Sequence, residues 1–232
     1  LAQWLENDEL PRSTSALAHK AMGHFAVMDG RDEEARRWFE ASGHFPYAQG
    51  MLYLRSFLAR QENERFVSWL SWYEDRIFRE HRDELPQYLN GWMHARAIGY
   101  TEECLAAMRR MLPYSYYHYE SILREEWRGK EWVELHMALK LPPLGMEPGR
   151  WKMWEKRHPE WLLPWFHQAV EMSVSRKNRE GYRHAVRYLK KLRQLYARLD
   201  KHRQWDLYME KLTKKYKRLR LFQSELQKGK LA

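Results

Sequence analysis

Apolar residues recur at three- and four-residue steps through nearly the whole chain, and no long apolar/polar alternation interrupts them. A chain with that period buries a stripe along helices and has no pattern from which to build a sheet. Breaks fall at Asp29-Gly30, Ser42-Gly43-His44-Phe45-Pro46, Gly99, Pro113, Gly129, Pro142-Pro143-Leu144-Gly145 and Pro148-Gly149. Glycine relaxes the backbone there and proline stops helices. The segments between are one helix or one helical hairpin long. The breaks at Gly30, at Gln61 to Asn63, at Gly99 and at Gly129 recur on the order of every 30 to 38 residues, the period of helix–turn–helix arrays.

The 232 residues, 44% of them apolar, can bury a real core, and the 12 Trp and 14 Tyr suit the broad gaps between stacked helices. No run of apolar residues approaches the roughly 20 that span a bilayer, and no basic-then-apolar leader is present. Cys104 is the single cysteine, so an internal disulfide is impossible and a reducing compartment, the cytoplasm, is expected. A start at Leu1 rather than methionine points to a piece of something longer. Charge is uneven: residues 150–232 hold 23 Lys and Arg against 8 Asp and Glu, and the remainder holds 18 against 23. That asymmetry permits an anionic partner.

The stretch from Ala16 to Phe39 carries a sharper pattern, with Gly23, Gly30, Ala35 and Phe39 at small, turn, small and aromatic positions. It resembles one tetratricopeptide unit. Gly23 and Ala35 would let two antiparallel helices approach, Gly30 would take the left-handed turn conformation, and Phe39 would fill space toward the next unit. The stretch departs from the family at His19, where tryptophan is usual, at Ala26, where tyrosine is usual, and at Pro46, one residue early. Later units are degenerate, with Cys104 at a small position and Trp92 where glycine is expected.

From Pro159 the character changes. Helices are expected over Glu160 to Ser175, Gly181 to Leu199, and His202 to about Gln227. Tyr182, Val186, Leu189, Leu192, Tyr196 and Leu199 stripe the second. Trp205, Tyr208, Leu212, Tyr216, Leu219, Phe222 and Leu226 stripe the third, so the two should fold as a long antiparallel hairpin. The run from Tyr182 to Arg193, then Trp205-Asp206-Leu207-Tyr208 and Lys217-Arg218-Leu219-Arg220, resembles the C-terminal region of bacterial SWIM zinc-finger proteins. That family's zinc site needs a Cys-x-Cys pair and a Cys-x-His pair. One cysteine cannot supply it, so the resemblance implies a finger upstream and no cofactor in this chain.

No catalytic or metal-binding motif is recognisable. The chain has no His-Glu-x-x-His, no clustered cysteines, no calcium-type acidic loop, no phosphate loop and no nucleophile elbow. His118 and His136 read as surface or half-buried helix residues, and Cys104 reads as a small core residue. Glu33-Glu34, Glu102-Glu103 and Glu125-Glu126 are adjacent on helices and point about 100° apart, which unsuits them to paired acid–base work. Tyr114, Tyr116, Tyr117 and Tyr119 form a candidate aromatic interface, with packing between neighbouring hairpins as the plainer reading. Lys211, Lys214, Lys215 and Arg218 would share one face of the last helix, either as candidate anion or nucleic-acid contacts or as a solvated surface.

The expected fold is all-α: a tetratricopeptide-like α-α superhelix of irregular hairpins over 14–141, a Pro/Gly-rich junction over 142–158, and a long basic helical hairpin over 159–232. The expected function is a non-catalytic scaffold for protein–protein interaction, with no membrane association. One alternative is a nucleic-acid-associated module whose basic helices make weak, sequence-independent phosphate contacts. The other is an enzyme whose site only folding would assemble.

Overall fold

In the computed structural model, which describes residues 12–43, 47–80, 82–144, 146 and 149–231, the helical period is realised almost everywhere. Thirteen α-helices and no strand occur among the described residues. They are α1 (Arg12–Met28), α2 (Asp32–Ala41), α3 (Tyr47–Ala59), α4 (Asn63–Glu80), α5 (Leu85–Ala97), α6 (Thr101–Arg110), α7 (Tyr116–Glu125), α8 (Gly129–Ala138), α9 (Gly149–Arg157), α10 (Pro159–Ser175), α11 (Arg179–Arg198), α12 (His202–Lys215) and α13 (Arg220–Lys228).

One turn is used again and again. At Gly30 the backbone enters the left-handed region, its N–H bonds to the carbonyl of Val27, and the next N–H, of Arg31, bonds to Ala26. This arrangement satisfies two carbonyls that the ending helix would leave open. Arg31 then accepts from Ala35, which starts α2 two residues after α1 has turned. Gln61, Gly99, Trp127 and Asp200 repeat the geometry, with bonds of 2.8–3.0 Å from Glu62 to Phe57, Tyr100 to Ala95, Arg128 to Leu123 and Lys201 to Tyr196.

The register around the first four turns is shared. The residue four before each turn is Ala26, Phe57, Ala95 or Leu123, and the residue five after is Ala35, Phe66, Cys104 or Trp132; all eight are buried. The residue nine after, Phe39, Leu70, Met108 or His136, is buried too. Each hairpin therefore closes on the same pair of helix faces. The glycines that enable this do so by space as well as by conformation: a Cβ on Gly23 would enter the ring of Phe39.

The chain divides into two compact units, Leu1–Met111 and Leu112–Ala232. In the first, α1 packs on α2, α3 on α4, α4 on α5 and α5 on α6. In the second, α7 packs on α8, α8 on α10, α9 on α10, and α10 on α11, which in turn carries α12 and α13. The division at 111/112 differs from the organisation read from the sequence, which carried the array to residue 141. The hairpin of α7 and α8 keeps the array's turn yet buries Trp132 and His136 against Trp165 of α10. The stretch expected as a Pro/Gly-rich junction contains helix α9.

Two further expectations are corrected. Gly129 is not a turn: it begins α8, and its missing side chain makes room for Trp154 and Trp161, 2.6–2.7 Å from where a Cβ would stand. The expected third basic helix is broken at Tyr216–Leu219. Tyr216 hydrogen-bonds Glu171 of α10, and beyond the break Phe222 packs 5.4 Å from the ring of Tyr182 on α11. Packing against two different helices overrides the unbroken stripe.

Candidate partner-binding groove

Of the repeat-signature residues, Ala35 and Phe39 are fully buried, Gly23 sits against Phe39, and Gly30 makes the turn with φ of 77°. These positions close α1 on α2, and Phe39 reaches the ring of Tyr53 on α3 at 6.2 Å. Between α3 and α5 the first unit opens into a groove of about 350 Å³. Leu54, Phe66 and Gly91 form its floor, and Gly91 is bare there because Leu70 stands 2.9 Å from the position of a Cβ. Arg55, Gln87, Asn90 and His94 stand along its walls.

The four wall side chains make no hydrogen bond or ion pair with other described residues. Among the described residues no carboxylate lines the groove. A guanidinium and an amide offer fixed donors, and together they suit a carboxylate more than any other common peptide group.

Apolar surface continues the same face. Phe25 lies five residues before its turn, as His94 does, and Leu52 lies nine before its turn, as Asn90 does. Phe25 is 61% exposed and Leu52 62% exposed. His24 and Tyr53, their neighbours in sequence, join α1 to α3 by a 2.7 Å hydrogen bond. Sequence reasoning missed this surface because Arg55 and Asn90 come from different hairpins. One signal was available: Gln87, Asn90 and His94 fall at three- and four-residue steps, a polar stripe on a helix that is otherwise half apolar.

The tyrosine cluster does not act as a unit. Tyr119 is buried in the second unit, Tyr116 donates to Nε2 of His136 over 3.1 Å, and Tyr114 and Tyr117 are exposed. The basic face on α12 is also dispersed. Lys211 and Lys214 are exposed on the helix, Lys215 pairs with Glu171 at 2.8 Å, and Arg218 lies past the helix end, so the four do not form one helical row.

Three titratable groups of the second unit, His136, Glu120 and Glu155, are built into its core. His136, expected at or near the surface, is fully buried: its Nδ1 donates to the carbonyl of Trp132, and its ring lies 3.9 Å from the Trp132 ring. Glu120 accepts from the indole of Trp132 at 2.8 Å, and Glu155 accepts from Lys191 and Arg198 at 2.8 and 3.0 Å. These contacts satisfy buried charge and aim nothing outward. In the first unit, burial pushes the Cys104 thiol up to about 11, so it stays protonated and unreactive at neutral pH. Among the described residues no group of three or more His, Cys, Asp or Glu could hold a metal ion, and no helix is long and apolar enough to cross a membrane.

His167, half-buried between α10 and α11, has its Nε2 2.9 Å from the Tyr196 hydroxyl, and desolvation lowers its pKa below 6.5. The unfolded chain therefore protonates this histidine first as pH falls. Stability is expected to drop as pH falls from about 6.5 toward the lowered native value, and the drop should be shallower in His167→Gln. Urea unfolding midpoints of both proteins between pH 7.5 and 5 measure it; parallel profiles would contradict the assignment.

No family model matches the chain, and no solved structure matches it. Over 208 residues it is 34% identical to the uncharacterized protein YwqB of Bacillus subtilis (strain 168), an alignment that covers 83% of this chain and 38% of that protein. The chain thus spans well under half the length of this relative.

Proposed function

We propose that this chain is a non-catalytic scaffold of tetratricopeptide type, forming the C-terminal part of a SWIM zinc-finger protein, which holds an extended, carboxylate-bearing segment of a protein partner. The observation that carries the reading is the α3–α5 groove, with Arg55, Gln87, Asn90 and His94 on its walls without a side-chain partner among the described residues, and exposed Phe25 and Leu52 on the adjoining face. Recurrence of one turn and one buried register through four hairpins supports the repeat assignment. The tail motif from Tyr182 onward supports the SWIM assignment, with the zinc-bearing finger outside this chain. One buried, unreactive cysteine accords with a reducing, cytoplasmic setting. Core placement of His136, Glu120 and Glu155 accords with binding rather than catalysis.

The partner segment would lay apolar side chains on Phe25 and Leu52 and place its carboxylate between Arg55 and Asn90. Peptide display against the full chain tests this. Selected peptides are expected to share a carboxylate beside apolar residues, and Arg55→Ala or Asn90→Ala should weaken them by about tenfold, the loss of one charge-assisted hydrogen bond of roughly 1.5 kcal/mol. Peptides without a shared acid, or binding indifferent to both substitutions, would set the reading aside.

A further inference from the structure

The second unit carries 27 Lys and Arg against 14 Asp and Glu, and its charge is arranged on α11 rather than on α12. From the second to the fourth turn of α11 the exposed side chains are Arg183, Arg187, Lys190, Arg193 and Gln194. Their spacing of three and four residues keeps them on one side of the helix, opposite the buried Tyr188, Leu192 and Leu195. The row rises on the order of 15 Å along the axis.

Glu180, exposed one turn before Arg183, is the one carboxylate on α11 itself, and the acids of α9 and α13 that touch the helix sit beside the row and leave it positive. On one flank Glu225 of α13 is buried and takes Arg179 at 3.2 Å, with Arg183 more loosely at 3.9 Å. Burial acts to raise the Glu225 carboxyl, but hydrogen bonds from Arg179 and Lys228 outweigh it and hold the group below its ordinary value, so it stays charged. On the other flank Glu155 of α9 is taken by Lys191 and Arg198. Arg187 and Lys190, in the middle, have no side-chain partner among the described residues, and Arg193 reaches only the Lys230 carbonyl at 3.4 Å.

We infer that the α11 row is a binding site for a nucleic-acid backbone, which takes successive phosphates on Arg183, Arg187, Lys190 and Arg193. Charge complementarity is the first argument: like charges in a row are unfavourable in the free protein, and phosphates relieve them while releasing condensed counterions. The second argument separates nucleic acid from an acidic protein. A protein interface needs an apolar or aromatic centre, and α11 exposes no large apolar side chain. A phosphate backbone needs none, and contacts to phosphate carry no sequence information, so binding through the cations of the row is independent of sequence. The site does not depend on the groove of the first unit.

Fluorescence anisotropy of the full chain with a labelled 20-nucleotide single strand, and with the same sequence as a duplex, tests the inference at several salt concentrations. The triple variant Arg183→Glu, Arg187→Glu and Lys190→Glu should weaken binding at least tenfold at low salt and flatten the salt slope by about two to three. A control with the same charge change on α12 and the turn that follows it, Lys211→Glu, Lys214→Glu and Lys217→Glu, should weaken it less than threefold. Unchanged thermal melting of both variants secures that the fold is intact. Equal losses in the two variants would assign the effect to net charge and overturn the site, as would no loss in the first. Poly-glutamate of matched charge binding as tightly as the single strand would overturn the choice of nucleic acid.

Discussion

Trp132→Ala is expected to destabilise the second unit by about 3–5 kcal/mol, the range for removing a fully buried large aromatic. Trp132 is wholly buried, meets Trp165 edge to face at 5.4 Å, lies tilted against His136 at 3.9 Å, and donates its indole N–H to Glu120. Alanine would leave a cavity and also strip a buried carboxylate of one donor. Trp132→Phe separates the two effects. It keeps most of the volume and loses the N–H, so it should cost about 1–3 kcal/mol, the penalty for a buried acceptor left short of a partner. Differential scanning calorimetry should show the transition of the second unit lowered in both variants, and more in the alanine. A phenylalanine variant as stable as wild type would show that Arg124, 3.3 Å from Glu120, suffices to satisfy it.

Gly50→Ala should destabilise the first unit by about 1–3 kcal/mol despite the better helix propensity of alanine, worth about 1 kcal/mol the other way. A Cβ on Gly50 would enter the Tyr73 hydroxyl and ring, and Tyr73 is buried on α4. To admit it α3 must move off α4, and α3 carries Met51, Leu54 and Arg55 to the groove. The double variant Gly50→Ala with Tyr73→Phe should recover part of the loss, because the hydroxyl is one of the atoms in the way. Chemical denaturation of the four proteins measures the coupling. Additive losses would mean that the helix spacing does not depend on this contact.

Helicity was legible because three- and four-residue periodicity is a local property, and the turns at Gly30 and Gly99 were legible because glycine marks a left-handed residue. The same turn at Trp127 was not, since nothing local distinguishes a tryptophan that tertiary packing holds at positive φ. Gly129 misled for the converse reason: it is small to admit Trp154 and Trp161, residues more than twenty positions away. The basic residues of α12 attracted attention as a dense run, whereas the row on α11 is interleaved with its core stripe. Only the places of Glu155 and Glu225 show which cations are left over. The groove was hidden because Arg55 and Asn90 meet only when two hairpins stack.

Partner binding by this protein turns on recognition by Arg55 of a carboxylate held in the α3–α5 groove. Calorimetric titration of one display-selected peptide, with its groove-facing acid intact and then replaced by the amide, into wild type and Arg55→Ala measures that contact as a cycle. The amide is expected to bind wild type roughly tenfold more weakly, and the two peptides are expected to bind Arg55→Ala equally. Equal binding of acid and amide to wild type would contradict that recognition.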